Sequence, residues 1–447
     1  MKITQYYTDQ SHSRASRPVF PSVFMNNAIT LTVGDPIGAE FTGFGVAITG
    51  SSCYEMSLMN DNERRAFIEA TYGKGGVGLS IGRLCIGSCD YSAELYSYDD
   101  VEGDVTLEHF SIERDKAYII PMIREILKVN PDMYLYAAPW SPPGWMKTSG
   151  NLCGGYMREK YIDVYADYLI RFVEEYEKCG IHVSALTPQN EPETQQHNSM
   201  PACVWHPETE AKFISVLRKK LDEKGLDTEI YLYDYNFGNW QRPKWCLDEF
   251  DDLKNECNAV SFHYYSGDIE QTAPLRAAYP SLKYHFTEGG PRMLEHYADD
   301  WCKWGTMIVK TLNNGFSSFT GWNLLLDEHG GPNVGPHFCG GLVTRNSIDG
   351  SLSYSGQYKA LSQIAPYLKK GAHVLRSELA ENCECIFKYY TKVQPMHACV
   401  FDNPDGTRVY VMVNPDAGKK QVQFIENGSY HYVELMPDSV SAIVVEY

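Results

Sequence analysis

No run of about 18 apolar residues occurs anywhere in the 447-residue chain, so no segment is expected to span a membrane. The first residues, "MKITQYYTDQSHSRASRPVF", hold no apolar core of the kind a secretory signal needs. Positive charge is scarce as well. Lys and Arg number 39 against 57 Asp and Glu, a net charge of −18. Nucleic acid and anionic membrane both call for basic patches, and both are set aside as partners. The phosphate-cradling G-x-G-x-x-G is missing, because "GFGVAITG" places Gly43, Gly45 and Gly50 at the wrong spacing. No H-x-H stands at a strand end, so neither a metal nor another cofactor is expected. The 13 Cys form an odd, scattered set without a disulfide framework. Cys85, Cys179 and Cys302 sit inside apolar patterns, as buried thiols do. With no signal, they place the chain in the reducing cytoplasm. Cys383-Glu384-Cys385 has no second pair to complete a zinc site. Internal repeats, low-complexity tracts and long linkers are absent too.

Aromatic residues are plentiful, with 32 Tyr and 8 Trp. They fill large cores, and they also suit clefts where flat rings lie against sugars. Short apolar or aromatic segments recur at 42–50, 77–87, 133–141, 183–191, 229–236, 259–266, 283–290 and 317–326, most bounded by Gly, Pro or Asn. Amphipathic helix patterns lie between them, among them 158–180 ending on Gly180 and 208–225 ending on Gly225. Eight strands alternating with helices predict a parallel (β/α)₈ TIM barrel over residues 37–371. A doubly wound sheet is the alternative, but its Gly-rich phosphate loop is the one missing above. Residues 372–447 change to short alternating strands with turn residues in "DNPDGT" and "ENGS". Residues 1–36 hold two extended segments, "PSVFMNN" and "AITLTVG", that pair with them. The expected whole is a barrel with an attached β-sandwich built from both chain ends.

In such a barrel the chemistry sits at the carboxyl ends of the strands. Strand 2 carries Arg83 and leads to Asp90. Strand 3 ends in Trp140, with Trp145 following. Strand 4 ends in "PQNEPE", with Asn190 and Glu191 before a proline. Strand 6 carries His263, Tyr264 and Tyr265. Strand 7 ends on Glu288, and strand 8 carries Trp322 and Asn323. Two carboxylates at strands 4 and 7 face one another across the mouth. Such a pair cleaves glycosidic bonds, one protonating the leaving oxygen while the other attacks the anomeric carbon or activates water. Close carboxylates give retention and distant ones inversion, and the sequence leaves that choice open. A surface-turn role for either glutamate fits poorly with so many polar strand ends converging. His263 reads equally well as a satisfied core histidine.

The stretches "GFGVAITG", "GRLCIGSCDYS", "APWSPPGWMKTSG", "TPQNEPE", "HYY", "TEGG" and "GWNLLLDEHGGPN" occur in the order seen in glycoside hydrolase family 30. The chain thus resembles the glucosylceramidase-like retaining β-glycosidases across most of the barrel. The resemblance implies Glu191 as general acid/base and Glu288 as nucleophile. It implies that Asn190 bonds the sugar 2-hydroxyl, and that Asp90, Trp140 and Trp322 hold a terminal glucose. Arg83 and Tyr265 then steady the nucleophile, while Trp145 packs below the pocket. His337 stands where these enzymes carry Asn, at the border of the sugar pocket. "EGGPR" replaces a bulkier pattern after the nucleophile. The implied activity is hydrolysis of terminal β-glucosyl groups on small glycosides or oligosaccharides, ceramide glycosides included. Endo-β-1,6-glucanase, β-xylosidase and β-fucosidase share the mechanism and stay open. A non-catalytic sugar-binding barrel would be expected to lack one glutamate, and both are present.

Overall fold

The computed structural model describes residues 1–195, 199–335, 339–380 and 395–447. Eight strands close into a barrel: Gly43–Ala47, Ile81–Ile86, Tyr134–Pro139, Ala185–Leu186, Glu229–Asn236, Ala259–His263, Lys283–Glu288 and Ser318–Gly321. Their order around the barrel is their order in the chain, and every neighbouring pair is parallel. Each lies inside a segment read as a strand. The fourth keeps only two ladder residues, because Pro188 soon removes a donor. Beyond it the chain still follows the third strand, through Thr187 N–H to the Ala137 carbonyl (3.0 Å) and Asn190 N–H to that of Pro139 (2.8 Å).

Helices wrap the barrel with apolar faces inward. Helix Ile162–Lys178 buries Tyr165, Leu169, Phe172 and Tyr176 at helical spacing. Helix Pro207–Lys224 starts on proline and stops at Gly225, whose left-handed φ of 68° closes the last turn.

Both chain ends feed one ten-stranded sheet. Its order is Ala15–Pro18, Lys2–Thr8, Ser439–Glu446, Arg408–Asn414, His397–Asp402, His373–Ala380, Ile29–Ile37, Lys420–Glu426, Ser429–Leu435 and Pro21–Ser22. Residues from distant strands of this order, such as Ile3, Met412 and Val445 with Phe424 and Val433, share one core. The sheet therefore curls over itself, giving the sandwich-like module expected. Strands Lys2–Thr8 and Ala15–Pro18 carry too many polar residues to announce themselves. Gln5 is buried all the same, bonding the Glu434 carbonyl and Ser441 Oγ at 3.2 Å each. The expected strand "CECIFKYY", with Cys383 and Cys385, lies outside the described residues. Cys302 is buried as expected, whereas Cys85 and Cys179 are half-buried.

The outer face of the sheet packs on the barrel. In strand Arg408–Asn414, Val409, Val411 and Val413 join the barrel core while Tyr410 and Met412 join the sheet core. Both faces are buried, so the strand reads as a continuous apolar run. Helix Trp301–Asn313 lies against it. A Cβ on Gly305 would come within 2.9 Å of Val440 Cγ2, so glycine permits this approach. Among the described residues, no helix is long and apolar enough to cross a membrane.

Candidate active site

The barrel mouth gathers the polar strand ends. Arg83 leaves the second strand inward and is fully buried. Its Nη1 donates to Glu288 Oε2. Its Nη2 donates to Asn190 Oδ1 (2.7 Å) and Asp234 Oδ2 (2.9 Å). The guanidinium also lies over the rings of Trp140 (4.9 Å) and Trp322 (5.4 Å). These rings stack on one another at 5.2 Å. One cation thus ties strands 2, 3, 4, 5, 7 and 8 together. The Arg83 bond leaves the Asn190 amide N–H₂ for other partners.

Glu191 follows the fourth strand with φ of 50°, and Glu288 closes the seventh. One oxygen of each carboxyl and one nitrogen of His263 lie within 4.8 Å of one another. Glu191 is the more exposed, its side chain 16% accessible against 7% for Glu288. Thr194 Oγ1 donates to Glu191 Oε2 (3.0 Å), and Glu191 N–H donates to the Asp234 carbonyl (3.0 Å).

His263 is buried between carboxylates. Its Nδ1 faces Glu191 Oε1 (3.2 Å), and its Nε2 faces Asp234 Oδ1 (3.1 Å) and Glu288 Oε2 (3.8 Å). Burial alone would push this imidazole down, but the charges of Glu288 and Asp234 bring it up to about 9. Both ring nitrogens already face carboxylate oxygens, which leaves neither turned towards an ion. The Glu191, His263 and Glu288 cluster thus fits a cation poorly, although its spacing resembles a ligand set. Burial would likewise raise Asp234, yet Arg83 and His263 hold its carboxyl below the usual range.

Asp90 behaves oppositely. Burial, then the charges of Glu288 and Glu191, push its carboxyl well above the usual carboxylate range. Its Oδ1 is buried and has no hydrogen-bond partner among the described residues. The loop after strand 8 backs it, with Val334 N–H donating to its backbone carbonyl (2.8 Å). Trp140, Trp322, Tyr91 and Cys89 form a small apolar cluster beside it. Tyr265 is half-buried, its ring edge-on to His263 at 6.2 Å, and burial followed by Glu288 raises its hydroxyl. Of the two groups expected to steady Glu288, Arg83 makes the hydrogen bond. Trp145 is buried outside this cluster, donating to the Asp99 carbonyl (3.1 Å). His337 lies outside the described residues.

Sequence reasoning missed Asp234, and with it Thr187 and Thr287, which donate to its carboxylate at 3.1 and 2.6 Å. The available signal was an acid flanked by tyrosines in the interior of the strand "EIYLYDYN".

A family model described as the glycosyl hydrolase family 30 TIM-barrel domain matches residues 41–349. A putative glucosylceramidase 3 of Caenorhabditis elegans is 30% identical over 380 residues, 78% of this chain and 71% of that one. SrfJ from Salmonella typhimurium superimposes with a TM-score of 0.91 at 26% identity, covering 100% of both chains. The endo-β1,6-glucanase BT3312 gives 0.86 at 26% identity over 99% of both.

Proposed function

Because the chain belongs to glycosyl hydrolase family 30, we propose that it is an exo-acting retaining β-glycosidase that releases terminal β-glucosyl groups. An oxygen of each carboxyl within 4.8 Å of the other favours the close spacing that retaining enzymes use. Glu288 attacks the anomeric carbon while Glu191 gives its proton to the departing oxygen. The bond to the aglycone breaks as the glycosyl ester forms. Water then attacks the ester, Glu191 takes its proton, and Glu288 leaves as a carboxylate. Arg83 fixes the attacking oxygen, and Asn190 offers its free N–H to the sugar 2-hydroxyl. No cofactor enters this scheme.

The observation that supports exo action is Asp90. A buried carboxyl with a free oxygen, close enough to feel both glutamates, suits paired hydroxyls at the non-reducing end of one sugar. Trp140 and Trp322 supply the ring face. A second reading, endo-β-1,6-glucanase, draws on the near-complete superposition with an enzyme of that name. β-Xylosidase and β-fucosidase share the chemistry, and His337 is where the sequence departs from the glucosylceramidase-like pattern.

The test is a panel of p-nitrophenyl β-glucoside, β-xyloside, β-fucoside and β-galactoside, run beside β-1,6-gluco-oligosaccharides, with Glu288→Ala as control. Release of nitrophenol from the glucoside, and of single glucose units from oligosaccharides, is the expected result. Release from another sugar moves the specificity while keeping the mechanism. Cleavage of long oligosaccharides at internal bonds, with the aryl glucoside untouched, overturns exo action.

A further inference from the structure

Asp234 is tied to both catalytic carboxylates. Its carbonyl accepts the Glu191 N–H at 3.0 Å. Its carboxylate accepts from His263, whose other ring nitrogen faces Glu191, and from Arg83, which holds Glu288. Thr287, the residue before the nucleophile, donates to it at 2.6 Å. The local backbone is shaped for this. Tyr233 and Asp234 have φ of 85° and 67°, and the pairing with the sixth strand skips Asp234, passing from Ser261–Tyr233 to Phe262–Tyr235. A bulge of this kind re-aims one side chain, and each left-handed non-glycine residue costs about 1–3 kcal/mol.

We propose that Asp234 is a positioning residue that keeps His263 as an imidazolium, and that this cation serves as the shared counter-ion of Glu191 and Glu288 while negative charge moves between them. The proposal rests on the double displacement given above. In the free enzyme Glu288 carries the charge and Glu191 the proton. When the ester forms, Glu191 has lost its proton and carries the charge, and hydrolysis sends it back. His263 faces both stations, at 3.2 Å and 3.8 Å. The groups around it are Glu191 after the fourth strand, Asp234 on the fifth, Glu288 on the seventh, and the ring edges of Tyr235 and Tyr265. Glu288 has a second cation in Arg83, but among the described residues Glu191 has His263 alone within ion-pair distance. Losing the imidazolium therefore handicaps the state in which Glu191 is charged.

The test is Asp234→Asn, assayed with 2,4-dinitrophenyl β-glucoside. This leaving group needs little proton donation, so the glycosyl-enzyme still forms. Its hydrolysis needs Glu191 as base. We expect kcat to fall about ten- to hundredfold more than kcat/KM, a part of the roughly 10²–10⁴ a general base supplies. The acid limb of the kcat profile should move to higher pH, and azide, which needs no base, should restore turnover. Equal falls in both constants, with unmoved limbs and no azide effect, would mean a purely structural role. His263→Gln should reproduce the same split if Asp234→Asn does not fold. A measurement independent of substrate is ¹⁵N-imidazole NMR of the parent near neutral pH. A protonated His263 that becomes neutral in Asp234→Asn supports the proposal, and a neutral His263 in the parent overturns it. A parent inactive on every β-glucoside would sink the substrate reading while leaving the NMR result to decide this one.

Discussion

In the proposed reaction, replacing Asp90 or Glu191 should separate binding from chemistry. Among the described residues Asp90 Oδ1 has no hydrogen-bond partner, and a sugar hydroxyl would supply one. A carboxyl pushed up by burial offers neutral hydrogen bonds of about 0.5–1.5 kcal/mol each, so losing contacts to two sugar hydroxyls in Asp90→Ala should raise KM for the aryl glucoside roughly five- to hundredfold. Steady-state kinetics checks this, and an unchanged KM would place Asp90 in the scaffold. Glu191→Gln should lower kcat/KM on an unactivated alkyl glucoside by about 10²–10⁴ while sparing the dinitrophenyl substrate far more. Comparable losses on both substrates would remove Glu191 from the acid role.

At the scale of the strand, burial sets a pH dependence. His285 lies in the middle of strand Lys283–Glu288, stacked on Tyr231 at 4.6 Å with Nδ1 on Ser318 Oγ (2.8 Å). Burial, helped by Lys283, pushes its imidazole down to about 3. The folded protein keeps it neutral while the unfolded chain takes up a proton near pH 6.5. Stability should therefore be lost as pH falls from about 6.5 towards 3, at about 1.4 kcal/mol per pH unit. Thermal unfolding of the parent against His285→Gln would show it as a shallower acid slope in the variant. The strands also explain what the sequence disclosed. Glu191 and Glu288 were legible because proline and glycine mark strand ends, and strand ends are where a barrel keeps its chemistry. Asp234 was not, because a period-two reading gives no hint of two consecutive left-handed residues. The mutual stacking of Trp140 and Trp322 across strands 3 and 8 was equally hidden, since no local pattern encodes which rings meet.

Across the whole molecule, barrel and sheet depend on each other. Gly305→Ala would press a methyl group against Val440 and Val413, with a Cβ at 2.9 and 3.2 Å from their methyls. Overpacking of this kind costs about 1–3 kcal/mol, so the unfolding temperature should drop with kcat unaltered below the transition. An unchanged unfolding temperature would mean the helix slides freely on the sheet. For the same reason residues 41–349 expressed alone should aggregate, because helix Trp301–Asn313 loses the cover of Val413 and Val440. A monodisperse fragment in size-exclusion chromatography would count against that dependence. The ten-stranded sheet carries one more consequence, in time rather than space. Lys2 pairs with Glu446, so the Lys2–Thr8 strand waits for one made far later. At roughly 5–20 residues per second the ribosome takes roughly 20–90 s to cover that distance. Until then the Lys2–Thr8 strand has one edge open, and the nascent chain must be kept from pairing with its neighbours until the Ser439–Glu446 strand emerges.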